Sequence, residues 1–280
     1  MTNTILVPVD YSENALSAAH YACSLAKLLD CSVQLLHAYQ PFTSSFQSPL
    51  ANKTDKERAA IGAKKGMSEF LDKLKPEIDN TLHIDNMLFE GPLLESVEYA
   101  CKTSEISLIV MGTHGASGIR ADLIGSNTYH VAKSAPRPLV VVPHNYVLKG
   151  SLNAVFFTDF NKDDNYSASV FARIFKEHFS KVYIAHIVSS EQVAEQCSSK
   201  MESWAGMLSP ILETPPEKIM VEKPENVETV NQIIDRSSAD MCLLTLAHDR
   251  NFFDNLFQKS LAKAIVLNPY CPVFLAGRNV

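Results

Sequence analysis

Ile106-Ser107-Leu108-Ile109-Val110-Met111-Gly112-Thr113-His114-Gly115, followed after nine residues by Gly125-Ser126-Asn127-Thr128, is the stretch whose reading decides the fold. The apolar run is a buried strand, and the glycines fall where it ends and a loop begins. In an open α/β sheet that is where ligands bind. Glycine tolerates positive φ and lets backbone approach a ligand closely, so Gly112 and Gly115 can turn loop amides toward an anion. Gly125-Ser126 precedes Asn127–Lys133, which reads as a helix whose first unpaired N–H groups complete a phosphate cradle. The competing reading is a set of ordinary turn residues. No Gly-Lys-Ser/Thr is present and the first two glycines are three apart, which excludes the P-loop and the Rossmann dinucleotide fingerprint.

Outward from this stretch, short apolar runs alternate with helical patterns. Ile5–Val9 is a strand ending at Asp10. Ser12-Glu13-Asn14 starts a helix whose face carries Ala15, Ala18, Ala22, Leu25 and Leu29. Ser32–Tyr39 is a second strand closed by Pro41; residues 42–52 form a polar surface excursion; Asp55–Leu74 is helical up to Pro76. Leu82–Phe89 is a third strand, Gly91-Pro92 opens a helix, Leu108–Met111 is the fourth strand and Leu139–Val142 the fifth. Such βαβ alternation predicts a mainly parallel sheet with helices on both faces. Asp10, Ala38 and Gly112 then share the carboxyl edge.

After a linker over His144–Leu152 the pattern returns. Phe156-Phe157-Thr158-Asp159 echoes Val7-Pro8-Val9-Asp10, and Val182–His186 echoes Val33–His37, both at an offset of 149 residues. Met241–Leu246 repeats the fourth strand, and Cys271-Pro272-Val273-Phe274-Leu275 repeats Arg137-Pro138-Leu139-Val140-Val141. The chain is an internal duplication, with one domain over 1–145 and a second over 151–280. Eight of the ten glycines lie in residues 1–150. Where the first half has Gly112, Gly115 and Gly125, the second has Ala247, Arg250 and Lys259, so its loop is degenerate: side chains there block close backbone approach.

At 280 residues and 46% hydrophobic content, the chain accommodates two ordinary cores. A net charge of −6 without a basic run argues against nucleic acid. No apolar run approaches the ~20 residues of a membrane span, and the start carries no signal-peptide pattern. The six cysteines form no Cys-x-x-Cys pair, as expected of reduced thiols in a cytoplasmic protein.

Val7-Pro8-Val9-Asp10, Leu36-His37-Ala38, and Ile109–Gly115 with nine residues before Gly125-Ser126 resemble the universal stress protein family in its ATP-binding form, and the duplication is similar to its tandem-domain branch. The resemblance implies two Rossmann-like domains of the adenine nucleotide alpha hydrolase type, each with a five-stranded parallel sheet, and ATP at the strand ends, often with a divalent cation such as Mg²⁺. It places Pro8, Val9 and Asp10 by the nucleoside, Ala38 backbone at the adenine, and Met111, Gly112, His114, Gly115, Gly125, Ser126 and Asn127 around ribose and phosphates. It also implies pairing of the domains through their last strands, Leu139–Val142 and Val273–Ala276; a further homodimer is open. Ser107 departs from the family's usual aspartate.

Individual residues keep two readings. Asp10 either accepts hydrogen bonds from a nucleoside or caps the helix that begins near Ser12. His37 and His186 occupy equivalent positions in both halves, which favours structural histidines. His114 either flanks phosphates or is simply exposed. Ser126 offers a hydroxyl to a phosphate or a hydrated Mg²⁺, or is an ordinary cap. The function expected is an ATP-binding stress-response regulator with one site. The alternatives are a slow nucleotide hydrolase and a non-enzymatic interaction module.

Overall fold

Strand β1 (Thr4–Pro8) is the middle of the first half, with Ile5, Leu6 and Val7 wholly buried. The computed structural model describes residues 3–113, 126–134, 136–149, 152–175, 177–188, 194–246 and 270–277. Within them β1 is followed by α1 (Glu13–Leu29), β2 (Ser32–Tyr39), α2 (Pro49–Leu74), β3 (Ile84–Glu90), α3 (Leu93–Thr103), β4 (Ile106–Gly112), α4 (Ser126–Ser134) and β5 (Leu139–Val142). The second half repeats the alternation with β6 (Leu152–Phe157), α5 (Asp164–Phe175), β7 (Phe179–Val188), α6 (Ala194–Leu212), β8 (Glu217–Glu222), α7 (Val227–Ser237), β9 (Met241–Leu246) and β10 (Val273–Gly277).

All ten strands form one sheet in the order β3-β2-β1-β4-β5-β10-β9-β6-β7-β8. Each half has the same internal order and parallel pairing. The halves meet where β5 pairs antiparallel with β10, Val140 facing Phe274 and Leu139 facing Leu275. The α/β class and the mainly parallel sheet expected from the sequence are therefore present, and the two last strands meet within one continuous sheet.

Strand alternation distributes the core over both faces. Ile5, Val7, Val110, Val140, Phe274 and Ala276 join α1, α2, α5 and α6 on one face; Leu6, Ile109, Val141, Val273 and Leu275 join α3, α4 and α7 on the other. The seam register keeps partners on the same face: Val140 and Phe274 both enter the first cluster, Val141 and Val273 the second. Alone, each half would present an apolar strand edge, a template for unwanted pairing. The seam covers both. The edges that remain are more polar, with Asp85, Asn86 and Glu90 on β3 and Glu217, Lys218 and Glu222 on β8. A homodimer built on the last strands has no edge left to use.

Helix starts follow cap chemistry. Ser12 accepts from the Ala15 amide at 3.2 Å. Ser48 does the same for Ala51, with Pro49 in the first turn, so α2 starts six residues before Asp55 and the surface excursion is shorter than its polarity implies. The connection between halves is docked on both. The Asn145 amide donates to Ser17 Oγ at 2.7 Å, the Tyr146 ring lies edge-on to Tyr21 at 6.2 Å, and Lys149 pairs with Asp240 at 2.9 Å. No helix among the described residues is long and apolar enough to cross a membrane.

Candidate functional site

In the order 3-2-1-4-5 the chain leaves β1 in opposite directions, and a crevice opens between the carboxyl ends of β1 and β4. Pro8, Val9 and Asp10 stand on one side of it and Met111 and Gly112 on the other. Pro8, Val9 and Met111 are buried. The Val9 amide donates to Leu36 O at 2.8 Å and its carbonyl accepts from His37 Nδ1 at 2.8 Å, so these residues build the wall rather than offer polar groups.

Ala38 is placed differently. Alternate residues of a strand aim their N–H and C=O groups at opposite neighbours. Leu36 O faces β1, since it takes the Val9 amide, and Tyr39 O faces the β3 side, where it takes the Gly91 amide at 2.9 Å. The Ala38 groups thus face β1, two residues beyond the Pro8–Leu36 pair that ends the ladder. An amide donor and a carbonyl acceptor at that spot match the edge of a purine base.

The Asp10 carboxylate accepts from the Ser12 amide at 3.1 Å and from Ser12 Oγ at 2.5 Å on the same oxygen, Oδ1. Ser12 is the cap of α1 and Asp10 braces the cap. Between them Tyr11 adopts φ of 65°, a left-handed conformation that costs an aromatic residue free energy unless its surroundings hold it. They do: its ring stacks on His37 at 4.1 Å, its hydroxyl donates to Ala63 O at 2.7 Å, and Gly66 leaves room for the ring, since a Cβ there would lie 2.4 Å from Cε2. Burial pushes the Tyr11 phenol well above its ordinary pKa, so it stays a neutral donor. Because a carbonyl only accepts, His37 carries its proton on Nδ1.

Gly112 has a packing reason to be glycine. A Cβ there would sit 2.9 Å from the Asn14 carbonyl oxygen, so β4 approaches α1 only without a side chain. The Gly112 carbonyl accepts from Thr128 Oγ1 at 3.0 Å, which ties the first turn of α4 to the end of β4, and the Thr113 amide donates to Val142 O at 3.2 Å. Ser126 is the first residue of α4, and Asn127 is exposed beside it. The structure thus gathers Pro8, Val9, Asp10, Ala38, Met111 and Gly112 at one sheet edge, with the start of α4 tied to it. His114, Gly115 and Gly125, together with Arg120 and the second-half positions Ala247, Arg250 and Lys259, lie outside the described residues. Among the described residues no cluster of three His, Cys, Asp or Glu could hold a metal ion.

The second half repeats the frame with different side chains. His186 Nδ1 donates to Thr158 O at 2.7 Å, and Phe160, at φ of 59°, packs on His186 at 4.4 Å, each at the 149-residue offset from its counterpart. Ile187 replaces Ala38 and is buried. Thr158 and Asp164 replace Val9 and Ala15. The Thr158 hydroxyl donates to Asp164, and Trp204 Nε1 donates to Thr158 Oγ1 at 2.8 Å and to Asp164 at 3.3 Å. Desolvation raises the Asp164 pKa despite these donors. Sequence reading missed this cluster and Tyr11 alike. The signal for the cluster is two core positions turning polar together at one offset; for Tyr11 it is the aromatic recurring at 160.

Known proteins place this arrangement. A universal stress protein of Thermus aquaticus is 28% identical over 145 residues, 51% of this chain and 99% of that protein. One of Methanocaldococcus jannaschii is 32% identical over 145 residues, 49% of this chain and 80% of that protein. The crystal structure of a universal stress protein from Archaeoglobus fulgidus matches 99% of both chains with a TM-score of 0.73 at 15% identity, a likeness of fold that runs through the second half. The Universal stress protein family itself is matched over residues 1–143, just over half the length, and the chain belongs to that family.

Proposed function

We propose that this protein is an ATP-binding regulator of the stress response with one nucleotide site, in its first half, residues 1–145. The observation that carries the reading is the Ala38 backbone aimed past the end of β1, across a crevice from Gly112. Adenine meets the Ala38 amide and carbonyl, Asp10 lies beside the ribose, and the loop from Gly112 with His114, Gly115, Gly125, Ser126 and Asn127 receives the phosphates. A helix N-terminus contributes only ~0.3–1 kcal/mol toward an exposed anion, so micromolar affinity, about −8 kcal/mol, needs the whole set. Mg²⁺ neutralises phosphate charge through its own water shell, with the Ser126 residue type suited to contact it.

The second half, residues 151–280, is read as a non-binding domain. Ile187 stands at the position of Ala38, and Thr158 and Asp164, at the positions of Val9 and Ala15, are bonded to Trp204. The first-half site is read as a binding site, with slow nucleotide hydrolysis as the alternative; Asp10 Oδ1 accepts from both the amide and the hydroxyl of Ser12.

Titration calorimetry of the purified chain with ATP and Mg²⁺ should give about one site, and silence at millimolar ATP would refute the proposal. Gly115→Arg, which copies the second half's Arg250, should abolish binding without unfolding the chain. Parental affinity in that variant would remove the backbone-approach argument.

A further inference from the structure

Cys242 lies in β9, and Cys271 lies two residues before the start of β10. Val273 is opposite Cys242 in the parallel register, and the Cys242 amide donates to Pro272 O at 2.8 Å, so the backbone carries Cys271 alongside β9. The two Sγ atoms are 3.3 Å apart, and both side chains are buried, at 1% and 2% exposure. Both are free thiols.

Filling the core does not account for the pair. Aligned through their strand partners, the first half places Ile109 and Arg137 at the equivalent positions, and Arg137 Nε donates to Ile106 O at 2.7 Å. Two unlike residues have thus become cysteines in the second half at the one place where they touch. A thiol–thiol contact is a weak hydrogen bond and packs no better than an aliphatic pair. The location has consequences as well. β10 is the strand that joins the halves, and the Tyr146 phenol in the connection docked on α1, its pKa raised chiefly by burial, also feels Cys271, Asp240 and Cys242.

We propose that Cys242 and Cys271 form a reversible disulfide that makes the seam strand responsive to oxidants. Hydrogen peroxide is the oxidant class. The thiolate of one cysteine attacks the O–O bond, giving a sulfenic acid and hydroxide. The second thiol then attacks that sulfur, forming the S–S bond and releasing water. The sum is two thiols and one peroxide to one disulfide and two waters, with two electrons passed from sulfur to oxygen. A dithiol reductant reverses it by exchange. Both sulfurs are almost wholly buried, and Cys271 directly follows the exposed Tyr270; burial and the neighbouring sulfur raise the pKa of Cys242.

The bond clamps the two ends of residues 243–270, which contain the second half's counterpart of the nucleotide loop, and pins the start of β10 to β9. A cross-link across so many residues restricts the unfolded chain strongly, so the oxidised form resists unfolding more than the reduced form.

The test uses the full chain, reduced, exposed to graded hydrogen peroxide, acid-quenched, unfolded and alkylated. Alkylatable thiols should fall from six to four, peptide mapping should find Cys242 joined to Cys271, and dithiothreitol should restore all six. Under the same treatment Cys271→Ala should keep all five of its thiols. Six thiols surviving oxidation, a cross-link between other cysteines, or irreversible sulfinic acid at Cys242 or Cys271 would each overturn the proposal. Because mapping is done on the natural chain, the result does not depend on whether the variant folds.

Discussion

Gly66→Ala, set beside Gly62→Ala, measures how firmly Tyr11 is wedged against the nucleotide edge. Both glycines lie within α2, one turn apart. An alanine in a helix interior gains ~0.8–1 kcal/mol over glycine, and that gain is common to the two variants. At Gly62 an added Cβ meets nothing within 4 Å, so the gain is kept. At Gly66 the same Cβ lies 2.4 Å from Tyr11 Cε2, 2.8 Å from Cδ2 and 3.1 Å from Cζ. The ring has no direction to retreat in. His37 is stacked on it, Phe70 stands 5.9 Å away, the hydroxyl is bonded to Ala63 O, and the backbone at φ of 65° sets where the side chain starts.

Overpacking of this kind costs ~1–3 kcal/mol. Since the propensity gain cancels in the comparison, Gly66→Ala should be less stable than Gly62→Ala by that amount. At about 2–4 °C per kcal/mol for a chain of this class, the melting gap is roughly 2–12 °C. Urea unfolding followed by tyrosine fluorescence and circular dichroism would read it. Equal stability of the two variants would mean that Tyr11 is not wedged, and the account of its left-handed backbone would fall with it. Under the ATP proposal Gly66→Ala also loses affinity, because Asp10 directly precedes the displaced residue, whereas Gly62→Ala keeps it.

Two further outcomes follow from the same contacts. Gly112→Ala places a Cβ 2.9 Å from the Asn14 carbonyl oxygen, a backbone atom with no rotamer to yield, so the variant should lose ~1–3 kcal/mol in urea unfolding without nucleotide; an unchanged midpoint would return this glycine to a purely ligand-facing role. Burial raises the folded-state pKa of Asp164 above its unfolded value, so its stabilising contribution is complete below the unfolded pKa, ~3.9, and is lost as pH rises through the folded pKa. Asp164→Asn, which keeps an acceptor for Thr158 and Trp204, should therefore gain on the parent at neutral pH, with the gap closing toward pH 4; urea midpoints at pH 7, 5 and 4 that show a constant gap would contradict the burial argument.

The fold was legible because its signals are one-dimensional. Apolar runs such as Leu139–Val142 mark strands, and the 149-residue offset exposes the second half. The position of Asp10, Ala38 and Gly112 at one edge follows from parallel alternation alone. What stayed hidden depends on three dimensions. Tyr11 reads as one more residue before a helix, because a positive φ leaves no mark on an aromatic side chain. Gly66 reads as a weak spot in a helix until the ring beneath it is known. The start of α2 was in the sequence as Ser48-Pro49, but the polarity around it outweighed the cap. Cys242 and Cys271 fit no short-spacing motif because a crossover separates them, and only parallel pairing brings them together.

The antiparallel seam also fixes how the halves divide their work. Within each half the strands run one way, and across β5 and β10 the direction reverses, so the carboxyl edge that carries Asp10 and Gly112 lies opposite the one that carries Asp159. The site proposed at the first edge draws on first-half residues alone. The second half can therefore carry Ile187 where the first has Ala38, and Thr158 and Asp164 where it has Val9 and Ala15, without touching the first, while β10 still covers the apolar edge of β5. What connects the edge at Gly112 to the seam is short. The Thr113 amide, one residue past Gly112, is bonded to Val142, the last residue of β5, and Val141 next to it pairs with Val273. Under the ATP proposal, a nucleotide held beside Gly112 acts on the end of the seam strand through that bond. Oxidation at Cys271 would act on the same seam from the other side, two residues before Val273. The proposed nucleotide edge and the proposed disulfide thus converge on β5 and β10, the pair of strands on which the joining of the two halves depends.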